Sequence, residues 1–332
     1  MKYLITGGAG FIGSHLAEAL LATGGDVLVL DNFSTGRHEN IAQLEGLPKF
    51  RFVYASVTEP EVVRQAVMEC DQVFHLASAV GVQLIIDEPV KTIETIVEGT
   101  AVVLAACARF RKPVLITSTS EVYGKSQKTP FSEDDDSVIG PPNFRRWAYA
   151  SAKALDEFLG LAWWEQVRLP VVIARLFNTI GPRQTGQYGM VVPRFVRQAL
   201  AGEPIRVFGD GTQSRCFCNV ADAVWALVRL IDTPAARGQV FNVGTDREIT
   251  IVELAELVRR LAGSKSQIEM VPYRQAYGEG FEDMPRRVPN LAKIHRLLGY
   301  EPRWTLEQTL EQIIAAEKGT AETPRRGDSK GD

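Results

Sequence analysis

Three observations predict an α/β fold built on a doubly wound parallel sheet. Short apolar runs alternate with segments of helical periodicity from Lys2 to beyond Thr117. The stretch Lys2 to Ser14, KYLITGGAGFIGS, reads as strand, glycine turn, helix. A second apolar run ends in Asp31, roughly 20 residues after that turn, the spacing of a dinucleotide-binding unit.

Taken in order, Tyr3, Leu4 and Ile5 form the first buried strand. Gly7, Gly10 and Gly13 make the turn, and Ile12, Leu16 and Leu20 recur at helical spacing until Gly24 and Gly25 stop the helix. In such a unit one glycine permits the tight turn, one lets the backbone approach a pyrophosphate and one lets the helix pack on the strand. The helix N-terminus offers unpaired N–H groups and a positive partial charge to the phosphates. Gly7, Gly10, Phe11, Ile12 and Gly13 are therefore candidate cofactor contacts. Asp31, with Asn32 beside it, follows the strand Asp26 to Leu30. A carboxylate there accepts hydrogen bonds from an adenosine ribose and repels a 2′-phosphate, which favours NAD over NADP. The plainer alternative is a strand-end Asp capping the next turn.

The polar segment Asn32 to Pro48 is expected to loop over the cofactor. Phe50 to Tyr54 gives the third strand and Pro60 to Met68 a helix. Gln72 to Leu76 gives a fourth strand, about Val90 to Phe110 a long helix, and Val114 to Thr117 a further strand. This is the Rossmann alternation. His75, alone at the end of a buried strand, is read as structural.

Composition excludes several classes. With 332 residues, 45% apolar and 23% charged, the chain suits an ordinary globular protein of one large or two coupled domains. A net charge of −3 gives no electrostatic case for binding nucleic acid or a membrane surface. Met1 leads directly into a strand and no apolar run approaches the roughly 20 residues needed to span a bilayer, so a cytoplasmic protein is expected. Cys70, Cys107, Cys216 and Cys218 lack metal-ligand spacing, so no metal site is expected and reduced buried thiols are. Cys216 and Cys218, two apart in an expected strand, point to one face.

Two stretches carry the chemistry. Thr117-Ser118-Thr119-Ser120-Glu121-Val122-Tyr123-Gly124 follows a strand directly, where open α/β sheets place ligands. In Tyr149-Ala150-Ser151-Ala152-Lys153, Tyr149 and Lys153 lie one helical turn apart on one face. A phenol has a pKa near 10; lowering it to about 7 takes roughly 4 kcal/mol, within reach of a close ammonium and an oxidised nicotinamide. Tyr149 then serves as a base on a sugar hydroxyl. Read alone, the pair is an ordinary Tyr/Lys pair on an amphipathic surface helix.

In this order and spacing, the glycine turn, Asp31, the Ser/Thr strand end and Tyr-x-x-x-Lys resemble the extended short-chain dehydrogenase/reductase family. Its members are NAD-dependent epimerases, dehydratases and decarboxylases of nucleotide sugars. The resemblance runs to about Glu317 and implies Thr119 as the hydroxyl on the reacting sugar oxygen, Tyr149 as base and Lys153 as its electrostatic partner. It also implies a smaller C-terminal α/β substrate-binding lobe. Residues 1–177 then form the NAD-binding Rossmann domain, 178–317 mainly the nucleotide-sugar lobe, and 318–332 a disordered tail. Asn178 lies at the crossing, Arg215 in Gly209 to Arg215 resembles a diphosphate ligand, and Phe241 to Gly244 a return to the main sheet. Ser56 and Ile96 depart from the family pattern, where many relatives carry Asp and Asn.

Ser120 and Glu121 bear on the reaction. Dehydratases usually present Asp-Glu here and epimerases small residues, whereas Thr-Ser-Glu-Val-Tyr-Gly resembles the UDP-glucuronate decarboxylases. The likeness extends to Arg145 to Tyr149 and to Tyr277 to Asp283 leading into Arg286-Arg287-Val288-Pro289. It implies that Glu121 and Arg287 act around the carboxylate and the sugar, with a phosphate role for Arg287 equally open. A 4-epimerase remains the alternative reading, and a non-catalytic NAD-binding protein a remoter one. The resemblance also implies a homodimer, with apolar helix faces near Val97 to Ala108 and Tyr149 to Trp164, Trp163 and Trp164 among them.

Overall fold

The structure, a computed structural model, describes residues 1–78, 88–144, 146–186, 190–277 and 284–322. The sequence readings at Arg145, at Gly278 to Asp283 and beyond Glu322 lie outside the described residues.

In chain order the first half comprises β1 (Lys2–Thr6), α1 (Phe11–Ala22), β2 (Asp26–Asp31), β3 (Phe50–Tyr54), α2 (Pro60–Glu69), β4 (Gln72–His75), α3 (Pro89–Phe110), β5 (Val114–Thr119), α4 (Arg146–Val167) and β6 (Val171–Leu176). The remainder comprises β7 (Thr179–Ile180), α5 (Val191–Ala201), β8 (Ile205–Phe208), β9 (Ser214–Cys216), β10 (Cys218–Asn219), α6 (Val220–Asp232), β11 (Gln239–Val243), β12 (Glu248–Thr250), α7 (Ile251–Leu261), β13 (Ile268–Val271), α8 (Tyr273–Tyr277), β14 (Arg286–Arg287), α9 (Ala292–Leu298) and α10 (Leu306–Glu322).

Among the described residues the main sheet has seven strands in the order β11-β6-β5-β4-β1-β2-β3, every pair parallel. Both faces are covered, and the strands alternate accordingly. Ile5, Val29, Phe74, Leu115 and Val172 enter one core with α1 and α6. Leu4, Leu30, Val73, Ile116 and Ile173 enter the other with α2 and α3. A third core joins α5, α7 and α10 over β8. The chain order reverses between β1 and β4, and the crevice beyond their carboxyl ends is where such sheets bind ligands.

Several local readings change. The fifth strand runs on to Thr119, so Ser118 and Thr119 are held by β6 through the pairs with Arg175 and Leu176. Cys216 and Cys218 belong to different strands, β9 paired with β12 and β10 paired with β7. All four cysteines are buried free thiols. The last helix continues to Glu322, into the segment assigned to the tail. Trp163 packs on the second core. Trp164 lies against Gly238 and under the Arg168 guanidinium, so neither indole is a spare apolar face.

Candidate active site

The turn after β1 explains its glycines. Gly7 has φ +73°, and a Cβ there would stand 2.7 Å from the Ala77 backbone. A Cβ on Gly13 would stand 2.3 Å from the Gly7 carbonyl oxygen, so α1 can begin here only without a side chain. Gly10 caps α1 with no side-chain bond, and the first turn carries no acidic residue, which leaves the helix N-terminus to an anion. The segment after β2 folds beside the turn: Arg37 N–H and Asn40 Nδ2 both donate to the Ala9 carbonyl, at 3.0 and 2.8 Å.

Asp31 closes β2 with both carboxylate oxygens engaged, accepting from Ala9 N at 3.0 Å and Phe33 N at 2.7 Å. Burial raises its pKa and these backbone donors oppose the rise. Each oxygen keeps a second lone pair for a ribose hydroxyl. The bare cradle, the helix end and the carboxylate fit the pyrophosphate and ribose of a dinucleotide.

The Ser/Thr stretch ends β5 and turns into a short 3-10 segment, Ser120–Tyr123, where Thr119 Oγ1 caps by accepting from Glu121 N at 3.2 Å. Tyr149 on α4 packs with Ile96 of α3 in a small apolar cluster. Burial pushes its phenol well up and the Glu121 and Asp156 carboxylates add to this, while the Ser78 and Thr119 hydroxyls pull it back. Lys153 Nζ donates to Asp156 Oδ2 at 2.8 Å, in a pair whose side chains are 2% and 1% exposed.

Glu121 and Arg287, 166 positions apart, meet in an ion pair of 2.6 Å. Arg287 lies beside Arg215 on adjacent parallel strands. Arg215 Nη1 donates to the Ser214 carbonyl at 2.7 Å, and Asn178 Nδ2 to that of Cys216 at 3.1 Å. His75 is held neutral: Nδ1 meets Thr6 Oγ1 at 2.7 Å and Nε2 meets Thr100 Oγ1 at 3.0 Å, and burial, with Lys153 nearby, brings its pKa down to about 3. It packs as a structural residue.

One cavity of about 460 Å³ is lined by all the candidate residues: Gly7, Gly10, Phe11, Ile12, Gly13, Asp31 and Asn32 at one end, Thr119, Ser120, Glu121, Tyr149 and Lys153 in the middle, and Asn178, Arg215 and Arg287 beyond. Sequence reasoning missed Ser78, Arg194, Phe208 and Tyr273, which also line it. Arg194 stacks on the Phe208 ring at 3.6 Å, and Tyr273 packs over Gly209, where a Cβ would meet the ring at 2.6 Å. No motif spacing marks these residues; only the fold brings them to the cavity.

A parallel sheet with a glycine turn at its switch point, opening into the same cavity as a Thr, Tyr and Lys set, defines the extended short-chain dehydrogenase/reductase class of enzyme. More narrowly, residues 4–313 match the family model described as GDP-mannose 4,6 dehydratase, and the chain belongs to that family. It is 41% identical to the UDP-N-acetyl-alpha-D-glucosaminuronate decarboxylase of Bacillus cytotoxicus over 94% of this chain and 96% of that protein. It is 38% identical to UDP-glucuronic acid decarboxylase 1 of Danio rerio over 94% of this chain and 72% of that one. The UDP-glucuronic acid 4-epimerase of Bacillus cereus, solved with UDP-glucuronic acid and NAD, superposes with a TM-score of 0.87 at 28% identity, covering 96% of this chain and 100% of the other.

Proposed function

We propose that this protein is an NAD-dependent decarboxylase of a UDP-linked uronic acid. The carrying observation is the Glu121–Arg287 pair set beside Thr119 and Tyr149 in a cavity that also holds the dinucleotide cradle. Decarboxylases of UDP-uronates at 38–41% identity over nearly the whole chain support the same reading.

When bound, NAD accepts the C4 hydride of the sugar and can return it. Residues 1–177 hold it, through Gly7, Gly10, Phe11, Ile12, Gly13, Asp31, Asn32 and Lys153, and residues 178–317 form most of the nucleotide-sugar lobe. Tyr149 takes the proton of the C4 hydroxyl and Thr119 holds that oxygen. Burial and the nearby carboxylates raise the phenol, so its base form would draw on positive charge beside it, from Lys153 and, when NAD is bound, from the oxidised nicotinamide ring. Arg287 receives the C6 carboxylate, with Glu121 and Ser120 beside it. Once C4 is a ketone, the sugar is a β-keto acid: the C5–C6 bond breaks, carbon dioxide leaves and its electron pair passes to the C4 oxygen. Thr119 and protonated Tyr149 donate to that enolate oxygen. With a solvent proton at C5 and Tyr149 giving back to the C4 oxygen the proton it took, return of the hydride would give a UDP-pentose. Arg215 and Asn178 bind the nucleotide diphosphate and sugar.

UDP-N-acetylglucosaminuronate is the second substrate reading, favoured by the 41% identity to its decarboxylase. A 4-epimerase is the alternative reaction, supported by the likeness to the solved epimerase. Proton NMR of each UDP-uronate with protein and NAD, carbon dioxide followed in parallel, separates them. Carbon dioxide with a new pentose anomeric signal supports decarboxylation. A galacto-configured signal without carbon dioxide makes the protein an epimerase and overturns the proposal.

The protein is also read as a cytoplasmic homodimer. Four buried free thiols suit a reducing compartment, and no helix among the described residues is long and apolar enough to cross a membrane. The neighbouring helices α3 and α4 expose Val90 and Ile93, and Leu155 and Phe158, the last 73% exposed, an apolar face suited to a second copy.

A further inference from the structure

We propose that Asp156 is a positioning residue for the Tyr149 and Lys153 pair: its carboxylate fixes the Lys153 ammonium and sets a negative charge toward the phenol. This rests on Tyr149 being the base. The pair spans one turn of α4, Lys153 Nζ to Asp156 Oδ2 at 2.8 Å, and water reaches neither side chain appreciably. A buried ammonium without a counter-charge is costly, so Asp156 dictates where that ammonium points.

Asp156 also faces the neighbouring helix α3. The Thr100 hydroxyl of α3 faces its carboxylate and also meets His75 Nε2 at 3.0 Å, and His75 Nδ1 meets Thr6 Oγ1 at 2.7 Å. A buried polar chain therefore links β1, at whose end the glycine turn begins, through His75 of β4 to Thr100 of α3, beside an Asp156 carboxylate whose Oδ1 has no hydrogen-bond partner among the described residues. The other charges around Tyr149 and Lys153 are accounted for among the described residues. Glu121, after β5, is paired with Arg287 of β14, and Glu157 of α4 with Arg175 of β6. His75 of β4 is neutral, and α3 contributes the uncharged Ile96 and Thr100. Asp156 thus adds the negative charge that the phenol senses from its own helix.

The test is Asp156→Asn, which keeps the size and an acceptor oxygen but removes the charge. Two quantities are followed in wild type and variant: the acid limb of kcat/KM for UDP-glucuronate, and the ultraviolet tyrosinate titration of Tyr149 in NAD-loaded protein, taken by difference from Tyr149→Phe. Both are expected to move to lower pH by about one unit, because a nearby negative charge has been taken away. A folded variant, with unchanged circular dichroism, in which neither moves overturns the proposal; Asp156→Ser replaces it if the Asn variant does not fold. Tyr149→Phe separates the two ideas. If it stays active, the base reading falls and the proposal with it. If it is inactive while the pH limb of Asp156→Asn is unmoved, only the role of Asp156 falls.

Discussion

Replacing Glu157 by Gln tests what holds α4 against the ends of β5 and β6. Glu157 Oε1 accepts from Ser118 Oγ and from Arg175 Nε at 2.9 Å, and Oε2 accepts from Arg175 Nη2 at 2.7 Å. The two side chains are 8% and 9% exposed, so water cannot stand in for the lost carboxylate. Leaving one charge of a buried pair uncompensated costs about 3–5 kcal/mol. Arg175 would keep its bond to the Glu133 carbonyl at 3.1 Å and its place over the Tyr123 ring at 4.8 Å, which argues for the lower end, about 3 kcal/mol. A fall in melting temperature of about 4 °C is expected by calorimetry. The double replacement Glu157→Leu with Arg175→Met removes both charges and should recover most of that loss, since apolar groups of similar volume replace buried pairs at little cost. A single variant melting within about 2 °C of wild type, or a double variant melting no higher than the single, would refute the reasoning.

Three further outcomes are expected. Gly13→Ala forces a methyl to 2.3 Å from the Gly7 carbonyl, and an overpacking cost of about 1–3 kcal/mol at the turn weakens NAD roughly 5- to 150-fold by calorimetric titration; unchanged affinity would contradict the close packing of turn and helix. His75 titrates at about 3 folded against 6.5 in the free side chain, so the unfolded chain binds the extra proton between these values. The stability this gives is present above pH 6.5 and lost as pH falls toward 3, and His75→Gln should show a flatter melting temperature between pH 7 and 5 than wild type. Replacing both Leu155 and Phe158 by Glu puts charges on the exposed face of α4, and light scattering should then report a monomer; a dimer that persists places the interface elsewhere.

The sequence by itself determined the local and periodic features. The turn at Gly7, Gly10 and Gly13, the carboxylate ending β2 and the strand-helix alternation are written in neighbours, because tight backbone approach and period-two burial leave marks at fixed spacing. Tyr149 and Lys153 were legible as one face of a helix for the same reason. Resemblance put Glu121 and Arg287 around the same sugar, and only the fold showed that these two residues, 166 positions apart, are in contact. Tertiary structure alone decided the electrostatics. Whether Lys153 stands as a bare cation depends on Asp156, Thr100 and His75 arriving from three elements, and the state of the Tyr149 phenol depends on burial and on Glu121. It likewise left Trp163 and Trp164 half-buried and Leu155 and Phe158 exposed, because which side of a helix meets the sheet is settled by packing. Charge and solvation are properties of an assembled neighbourhood, and a linear sequence names its members without saying which of them meet.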